Sequence, residues 1–298
     1  MPVIGFLRST SLTTSSELVT AFRQGLKEVG YTEGQNVRIE YRWADDQGDR
    51  LPALAANLID LRVAVIVANL TAAFAVKTAT TTIPLVFTTG SDPVKDGLVT
   101  NLNRPTGNVT GVVFFSDNLG SKRLELLRKL VPKATTIGIL VYPINPGTRA
   151  ERRDLQDAAR AIGQQLIVEN VSSDRELEPA FSTLIQRGAG ALLVGSGAFL
   201  YSKRGKLVAL AARHSLPTSY SGRDFVMAGG LMSYGASIAE AYRQAGVYAG
   251  RILKGERPTD LPVMQSTKFE FVVNLKTAKA LDLELSPQFL ATVDEVIE

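Results

Sequence analysis

The sequence predicts an α/β protein of two similar lobes, each a parallel sheet with helices on both faces. Three observations predict it. Short apolar, β-branched runs such as Val63 to Ala68 alternate with stretches of helical period, the pattern of βα units in a parallel sheet. The pattern then restarts. Ile4-Gly5-Phe6-Leu7 is matched by Ile137-Gly138-Ile139-Leu140, an offset of 137 − 4 = 133, and the pairs Gly30/Gly163 and Ile83-Pro84/Leu216-Pro217 share that offset. Length is the third: 298 residues suit two domains better than one.

In the first lobe, Val3 to Leu7 is a strand that ends in the hydroxyl-rich Arg8-Ser9-Thr10-Ser11. A helix over Glu17 to Val29 sets Leu18, Phe22, Leu26 and Val29 on one stripe, with Gly30 as its stop. Val37 to Trp43 alternates as a strand, and Arg50 to Leu61 is a helix expected to bury Leu51, Leu54, Leu58 and Leu61. The strand Val63 to Ala68 opens into Asn69-Leu70-Thr71 ahead of a helix over Ala72 to Ala79. Ile83 to Phe87 is a buried strand followed by the polar Thr88-Thr89-Gly90-Ser91-Asp92-Pro93, and Gly111 to Phe115 is another strand.

The second lobe repeats the scheme after a helix over Leu119 to Leu130. Strand Thr136 to Tyr142 runs into the turn signal Pro143-Ile144-Asn145-Pro146-Gly147. Helix Arg149 to Ile162, strand Leu166 to Val171, helix Glu176 to Arg187 and strand Ala191 to Val194 follow, with Gly195-Ser196-Gly197-Ala198-Phe199 as the exit. Helix Ser202 to His214 leads to strand Pro217 to Tyr220 and the exit Ser221-Gly222-Arg223-Asp224. After the apolar Gly229 to Tyr234 comes a helix over Ser237 to Lys254, closed by Gly255 and Pro258. The tail holds a strand, Lys268 to Asn274, and two short helical segments around Ala278 and Phe289; the whole remainder after Tyr234, the helix included, is expected to patch both lobes.

Composition narrows the chemistry. Hydrophobic residues at 45% and charged residues at 21% are those of ordinary soluble globular proteins. The net charge of +4 is mild and no Lys/Arg run carries interleaved aromatics, so nucleic acid is a poor partner. Zero cysteines remove disulfides, thiolate nucleophiles and thiolate metal sites together. No apolar run is long enough to span a bilayer, and no export signal precedes the strand at Val3, so an exported form would begin after its cleavage site.

Catalytic constellations are scarce. The one histidine, His214, ends a helix with no second His or Cys to partner it, and reads as a cap or surface residue. GxSxG and Walker A patterns are absent, and the glycines of Gly195-Ser196-Gly197 lack the third glycine of a dinucleotide loop. Asp45, Asp46 and Asp49 suit capping and solvation. No enzyme, metal or cofactor is expected. What remains is a set of polar strand exits: Ser9, Thr10, Ser11, Asn69, Thr71, Thr89 and Ser91 in the first lobe, and Tyr142, Asn145, Ser196, Phe199, Tyr220 and Asp224 in the second. Exits of parallel strands gather at one sheet edge, and two lobes facing each other would bring these groups to a cleft. Hydroxyls and helix N-termini suit a carboxylate, Asp224 suits an ammonium, and Tyr142, Phe199 and Tyr220 suit an apolar or aromatic body. The same Ser, Thr and Asn residues also suit capping of the next helix.

Long segments resemble the bacterial ABC-transporter substrate-binding proteins that include tryptophan- and phenylalanine-binding members. They are VIGFLRSTS, FRQGLKEVGYTEGQNVRIEYRWADDQGDRLPALAANL, SDPVKDGLVTNLNRPTGNVTGV, KRLELLRKLVPKA, GGLMSYGASIAEAYRQAGVYAGRILKGERPTDLPV and FEFVVNLKTAKALDLELSP, which together run through essentially the whole chain. The resemblance implies a type I periplasmic-binding-protein fold, two Rossmann-like lobes joined by three hinge crossings and closing on a solute. It implies lobe one at 1–114 plus 236–260, lobe two at 117–232 plus 267–298, and crossings near 115–116, 233–235 and 261–266. It also implies a monomer in the periplasm, or lipid-anchored outside the inner membrane, that delivers an amino acid or similar carboxylate to a membrane permease. Where the family offers a Gly-rich exit after the third strand, this chain has Asn69-Leu70-Thr71-Ala72-Ala73-Phe74. A repressor's sensor half would need a helix-turn-helix before the first strand. A two-domain enzyme would need an acid/base pair, for which only Asp92, Arg223 and Asp224 offer themselves.

Overall fold

The apolar runs pair into two separate sheets, one of six strands and one of seven. The computed structural model describes residues 1–115, 119–145, 147–266 and 269–298. Two units divide the chain: Met1–Phe115 with Ile238–Thr267, and Ser116–Ser237 with Lys268–Glu298.

In the first unit the strands are β1 (Val3–Arg8), β2 (Arg38–Trp43), β3 (Val65–Asn69), β4 (Leu85–Thr89), β5 (Val109–Val113) and β11 (Met264–Gln265). Their order is β11-β5-β4-β3-β1-β2 and every pairing is parallel. Central strands buried on both faces explain their unbroken apolar runs. On one face lie α2 (Leu51–Asp60) and α3 (Leu70–Ala79), with Leu51, Ala55, Leu58, Ala73 and Val76 packed on Leu7, Ile66 and Phe87. The other face carries α1 (Ser16–Glu28) and α10 (Ile238–Leu253), where Phe6 meets Phe22 and Tyr242. These two helices cross at glycines: a Cβ on Gly25 would lie 1.8 Å from the Arg243 carbonyl oxygen, and one on Gly246 would lie 2.2 Å from that of Phe22.

The second unit holds β6 (Thr136–Val141), β7 (Gln165–Asn170), β8 (Ala191–Val194), β9 (Thr218–Tyr220), β10 (Met232–Ala236), β12 (Phe269–Asn274) and β13 (Glu295–Ile297). Their order is β13-β12-β10-β9-β8-β6-β7, so β6 to β10 repeat the arrangement of β1 to β5. Only β12 runs antiparallel to its neighbour β10 among these pairings. The helices are α4 (Gly120–Leu130), α5 (Thr148–Ala161), α6 (Leu177–Gln186), α7 (Ala198–Ser202), α8 (Arg204–Arg213), α9 (Arg223–Met227), α11 (Leu275–Ala280) and α12 (Pro287–Leu290). The repeated Ile-Gly landmark has a packing cause. A Cβ on Gly5 would press on Leu58 at 3.0 Å, and one on Gly138 would press on Leu184 at 2.9 Å, each leucine coming from the helix laid over that strand.

Several expectations need correction. Leu61 is 39% exposed, because it lies ten residues after Leu51 and has turned roughly 80° off the Leu51–Leu58 stripe at 3.6 residues per turn; Ala55 is buried instead. The helix expected over Ser202 to His214 is two helices broken at Lys203, whose amide bonds back to Phe199 and Leu200 as a tight turn. Residues 233–235, expected as a crossing, lie inside β10, and the units divide at Ser237 and Ile238. The stretch 261–266 includes β11, hydrogen-bonded to β5. Ser116, Asp117, Pro146, Thr267 and Lys268, named in the expected boundaries, turn and last strand, lie outside the described residues. Neither α9 nor β13 was anticipated.

Candidate functional site

At the carboxyl end of β1 the chain leaves the sheet and is fastened at once. The Ser9 amide donates to Asn69 Oδ1 at 2.9 Å, and Asn69 Nδ2 donates to Ser9 Oγ at 2.9 Å. Thr10 Oγ1 lies 3.0 Å from Ser15 Oγ, and both residues are buried. Ser11 bonds within its own turn, to the hydroxyls of Thr13 and Thr14. Thr71 is half-buried in the first turn of α3, two residues beyond Asn69. At the end of β4, Thr89 Oγ1 lies 2.9 Å from Ser91 Oγ, and Ser91 in turn donates to Asp96. Burial holds the Asp96 carboxyl above its usual range against the lowering effect of that bond, and the charge of Asp92 adds to the rise. The structure thus joins Ser9 with Asn69 and Thr89 with Ser91.

Arg8, the last residue of β1, is a feature of this edge that sequence reasoning passed over. Its side chain is 3% exposed. Nε donates to Thr10 Oγ1 at 3.2 Å, Nη1 donates to the Tyr242 hydroxyl, and the guanidinium carbon sits 5.0 Å from the Tyr242 ring centroid. Strand phase was the available signal. Arg8 shares a face with Ile4 and Phe6, the face that α1 and α10 cover. Beside it Tyr41 and Trp43 stack at 6.0 Å on the edge strand β2, both in contact with Phe6.

In the second unit, Tyr142 and Phe199 stack with ring centroids 4.5 Å apart. Two features set them there. Thr148 Oγ1 donates to the Tyr142 carbonyl at 2.7 Å, and Gly197 takes φ +127°, which swings the chain into α7 and places Phe199 in its first turn. The Asn145 side chain fills the space over Gly197, 3.3 Å from where a Cβ would stand. The ammonium of Lys203 lies 5.6 Å from the Phe199 ring centroid. Ser196 is buried and locked to Glu151, which accepts from its amide at 3.0 Å and from its hydroxyl at 3.1 Å. Glu151 is also paired with Arg123, whose Nη1 donates to the Val194 carbonyl at 3.0 Å. This ion pair is completely buried and fixes the exit of β8. The signal for it was present: Arg123 is in helical phase with Leu127 and Leu130, and Glu151 with Leu155.

Tyr220 is not brought to that aromatic pair. Tyr220 is fully buried, stacks on Phe225 at 4.7 Å, and lines a cavity of about 350 Å³ with Leu216, Leu231 and Thr277. Leu216 and Leu231 precede β9 and β10, so this cavity opens at the amino ends of those strands and away from the exits. Burial pushes the Tyr220 phenol well above its ordinary range. Asp224 opens α9 and accepts a hydrogen bond from the Tyr201 hydroxyl, while Arg223 pairs with Glu295. His214 directly follows α8, its ring 6.2 Å from that of Phe181. Among the described residues no group of three His, Cys, Asp or Glu could hold a metal ion, and no helix is long and apolar enough to cross a membrane.

Two α/β units, each a mostly parallel sheet with polar strand exits, place the chain in the two-lobe α/β class. The family model described as ABC transporter substrate binding protein matches residues 3–297, and the chain belongs to that family. Its members take a small-molecule substrate outside the cytoplasm and work with a transporter permease. A tyrosine-binding protein of Clostridioides difficile (strain R20291) is 29% identical over 265 residues, covering 88% of this chain and 76% of that one. Among solved structures, a conserved domain protein of Vibrio cholerae superposes with a TM-score of 0.91 at 23% identity, and an ABC domain of Streptococcus pneumonia in complex with L-Trp with a TM-score of 0.90 at 24% identity; each covers 99% of both chains. These two likenesses show the fold, two α/β lobes of the type I periplasmic-binding-protein kind.

Proposed function

We propose that this protein captures an aromatic or large apolar amino acid outside the cytoplasm and delivers it to an ABC membrane permease. The stacked Tyr142–Phe199 pair at the exits of β6 and β8 carries the reading. A further ring added to such a stack gains about 0.5–1.5 kcal/mol beyond its area burial. Locks on both sides of the pair (Thr148 on Tyr142, the Gly197 turn under Phe199) hold it ready, so little ordering is left for the moment of binding. The relative named as a tyrosine-binding protein supports an aromatic solute. Asp224 is the carboxylate proposed to meet the solute's ammonium, and Ser9, Thr10 and Thr89 are hydroxyls proposed to surround the solute. The protein is proposed to act as a monomer, in the periplasm or lipid-anchored at its border, without catalysis and without nucleic acid.

Calorimetry with L-Tyr, L-Trp, L-Phe, L-Leu and a hexose tests this reading. The aromatic amino acids are expected to bind most tightly, and Phe199→Ala is expected to weaken them about tenfold or more. Asp224→Asn should weaken an amino acid by roughly 1.5–3 kcal/mol and leave the same acid without its amine unchanged. A hexose that binds best, or aromatic binding indifferent to Phe199→Ala, would refute the proposal.

A further inference from the structure

We infer that Arg8 is the anchor for the solute's carboxylate, an inference that rests on the reading just given. A guanidinium offers five N–H donors and stays charged at any working pH. Two of those donors are spent inside the protein, on Thr10 and Tyr242. No Asp or Glu among the described residues pairs with the buried Arg8, unlike Arg123, which is fully buried and has Glu151. Burying an unpaired cation is costly, and structures that keep one supply an anion from elsewhere.

Placement narrows what that anion is. Nη2 has no protein partner among the described residues, yet it is absent from the buried polar atoms that lack one, so it reaches accessible space. It does so at the carboxyl end of β1, where open parallel sheets take their ligands. Thr10 and Tyr242 grip the group from behind, and Thr10 is itself held by Ser15. The free side of a planar fork held in this way matches a carboxylate, which accepts two parallel bonds. Hydroxyls alone would bind a neutral solute equally well; Arg8 makes the edge selective for an acid.

The test compares wild type with Arg8→Gln, Arg8→Lys and Tyr242→Phe, each checked for folding by circular dichroism. The probes are L-tyrosine, its decarboxylated amine tyramine, and acetate at millimolar concentration as a ring-free carboxylate read by thermal shift. Wild type is expected to bind L-tyrosine far more tightly than tyramine, and to be stabilised by acetate. Arg8→Gln is expected to lose roughly 100-fold in affinity for L-tyrosine and to lose the acetate shift. Arg8→Lys keeps the charge without the fork and is expected to fall between. Tyr242→Phe removes the brace and leaves the guanidinium, and should keep the preference for the acid. Tyramine bound as well as L-tyrosine in wild type would overturn the inference while leaving an aromatic solute intact. An acetate shift that depends on Arg8, without tyrosine binding, would uphold the anchor and sink the aromatic reading. Equal losses in Tyr242→Phe and Arg8→Gln would make Arg8 a packing residue, and no shift with either carboxylate would end the proposal.

Discussion

Alanine at Gly25 should damage the first unit, although alanine is the better helix former. Substituting glycine within a helix returns about 0.8–1.0 kcal/mol of propensity. At Gly25 the new Cβ would stand 1.8 Å from the Arg243 carbonyl oxygen, and ordinary contact begins near 3.4 Å, so α1 and α10 must part by up to 3.4 − 1.8 = 1.6 Å. A gap of 0.5–1 Å already forfeits roughly a quarter to a half of each atomic contact. Phe22, Leu26, Tyr242, Ala245 and Ala249 are all buried on these two helices. Overpacking typically costs about 1–3 kcal/mol, and a clash with backbone falls at the upper end, leaving a net loss of about 2 kcal/mol. The single tryptophan, Trp43, lies in β2 of the first unit, so its fluorescence reports that unit's unfolding selectively. Urea titration should show the midpoint falling by about 1–2 M. Gly205→Ala is the control, in the first turn of α8 with nothing within 4 Å of its Cβ, and should be neutral or stabilising. A Gly25→Ala protein as stable as wild type would refute the close-contact argument.

Three further outcomes are expected. Glu151→Ala strands a buried guanidinium and should cost about 3–5 kcal/mol in chemical denaturation, whereas Arg123→Met with Glu151→Leu should recover most of that loss. Tyr41, pushed up to about 12 mainly by burial, should remain a phenol at pH 11 in an absorbance titration at tyrosinate wavelengths. Because its folded pKa lies above the ordinary value near 10, its contribution to stability is full below about pH 10 and fades as pH rises toward 12. Glu295 runs the other way: Arg223 holds its carboxyl below the usual range, so the pair's support for β13 is present above about pH 4.5 and is lost on further acidification, seen as a stability advantage of wild type over Glu295→Gln that narrows as pH falls.

Much of the fold was legible because its signals are local. The apolar runs became strands buried on both faces, and Gly30 and Gly163 stop their helices with φ of +90° and +67°. The offset of 133 residues reflects a shared strand order with a shared leucine-over-glycine contact. What was missed depends on partners distant in the chain. Nothing near Ser202 announces the break at Lys203, and no local pattern tells that the tail returns as β12 and β13 beside β10. At the candidate site, residue type misled. Hydroxyls at the exits drew attention, while Arg8, Arg123 and Glu151 passed without assignment although each sits in phase with apolar neighbours and is buried. Tyr220 was taken for an exit residue, yet its side chain belongs with Phe225 and the cavity behind β9.

The first unit is written in two pieces, and the order of synthesis gives that arrangement a cost. Residues 116 to 237 of the second unit are translated before α10 begins at Ile238. At about 5–20 residues per second these 237 − 115 = 122 residues take roughly 6–24 s. For that interval the apolar stripe of α1 and one face of β3, β4 and β5 have no cover, since α10 is the helix that packs on them. Splitting the gene once, at any point between the units, would therefore never release an intact first unit. Making each unit's segments contiguous takes two new junctions, residue 267 to residue 1 and residue 237 to residue 268, which no circular permutation can supply; a chain rearranged in that way should shorten the exposed stage during synthesis.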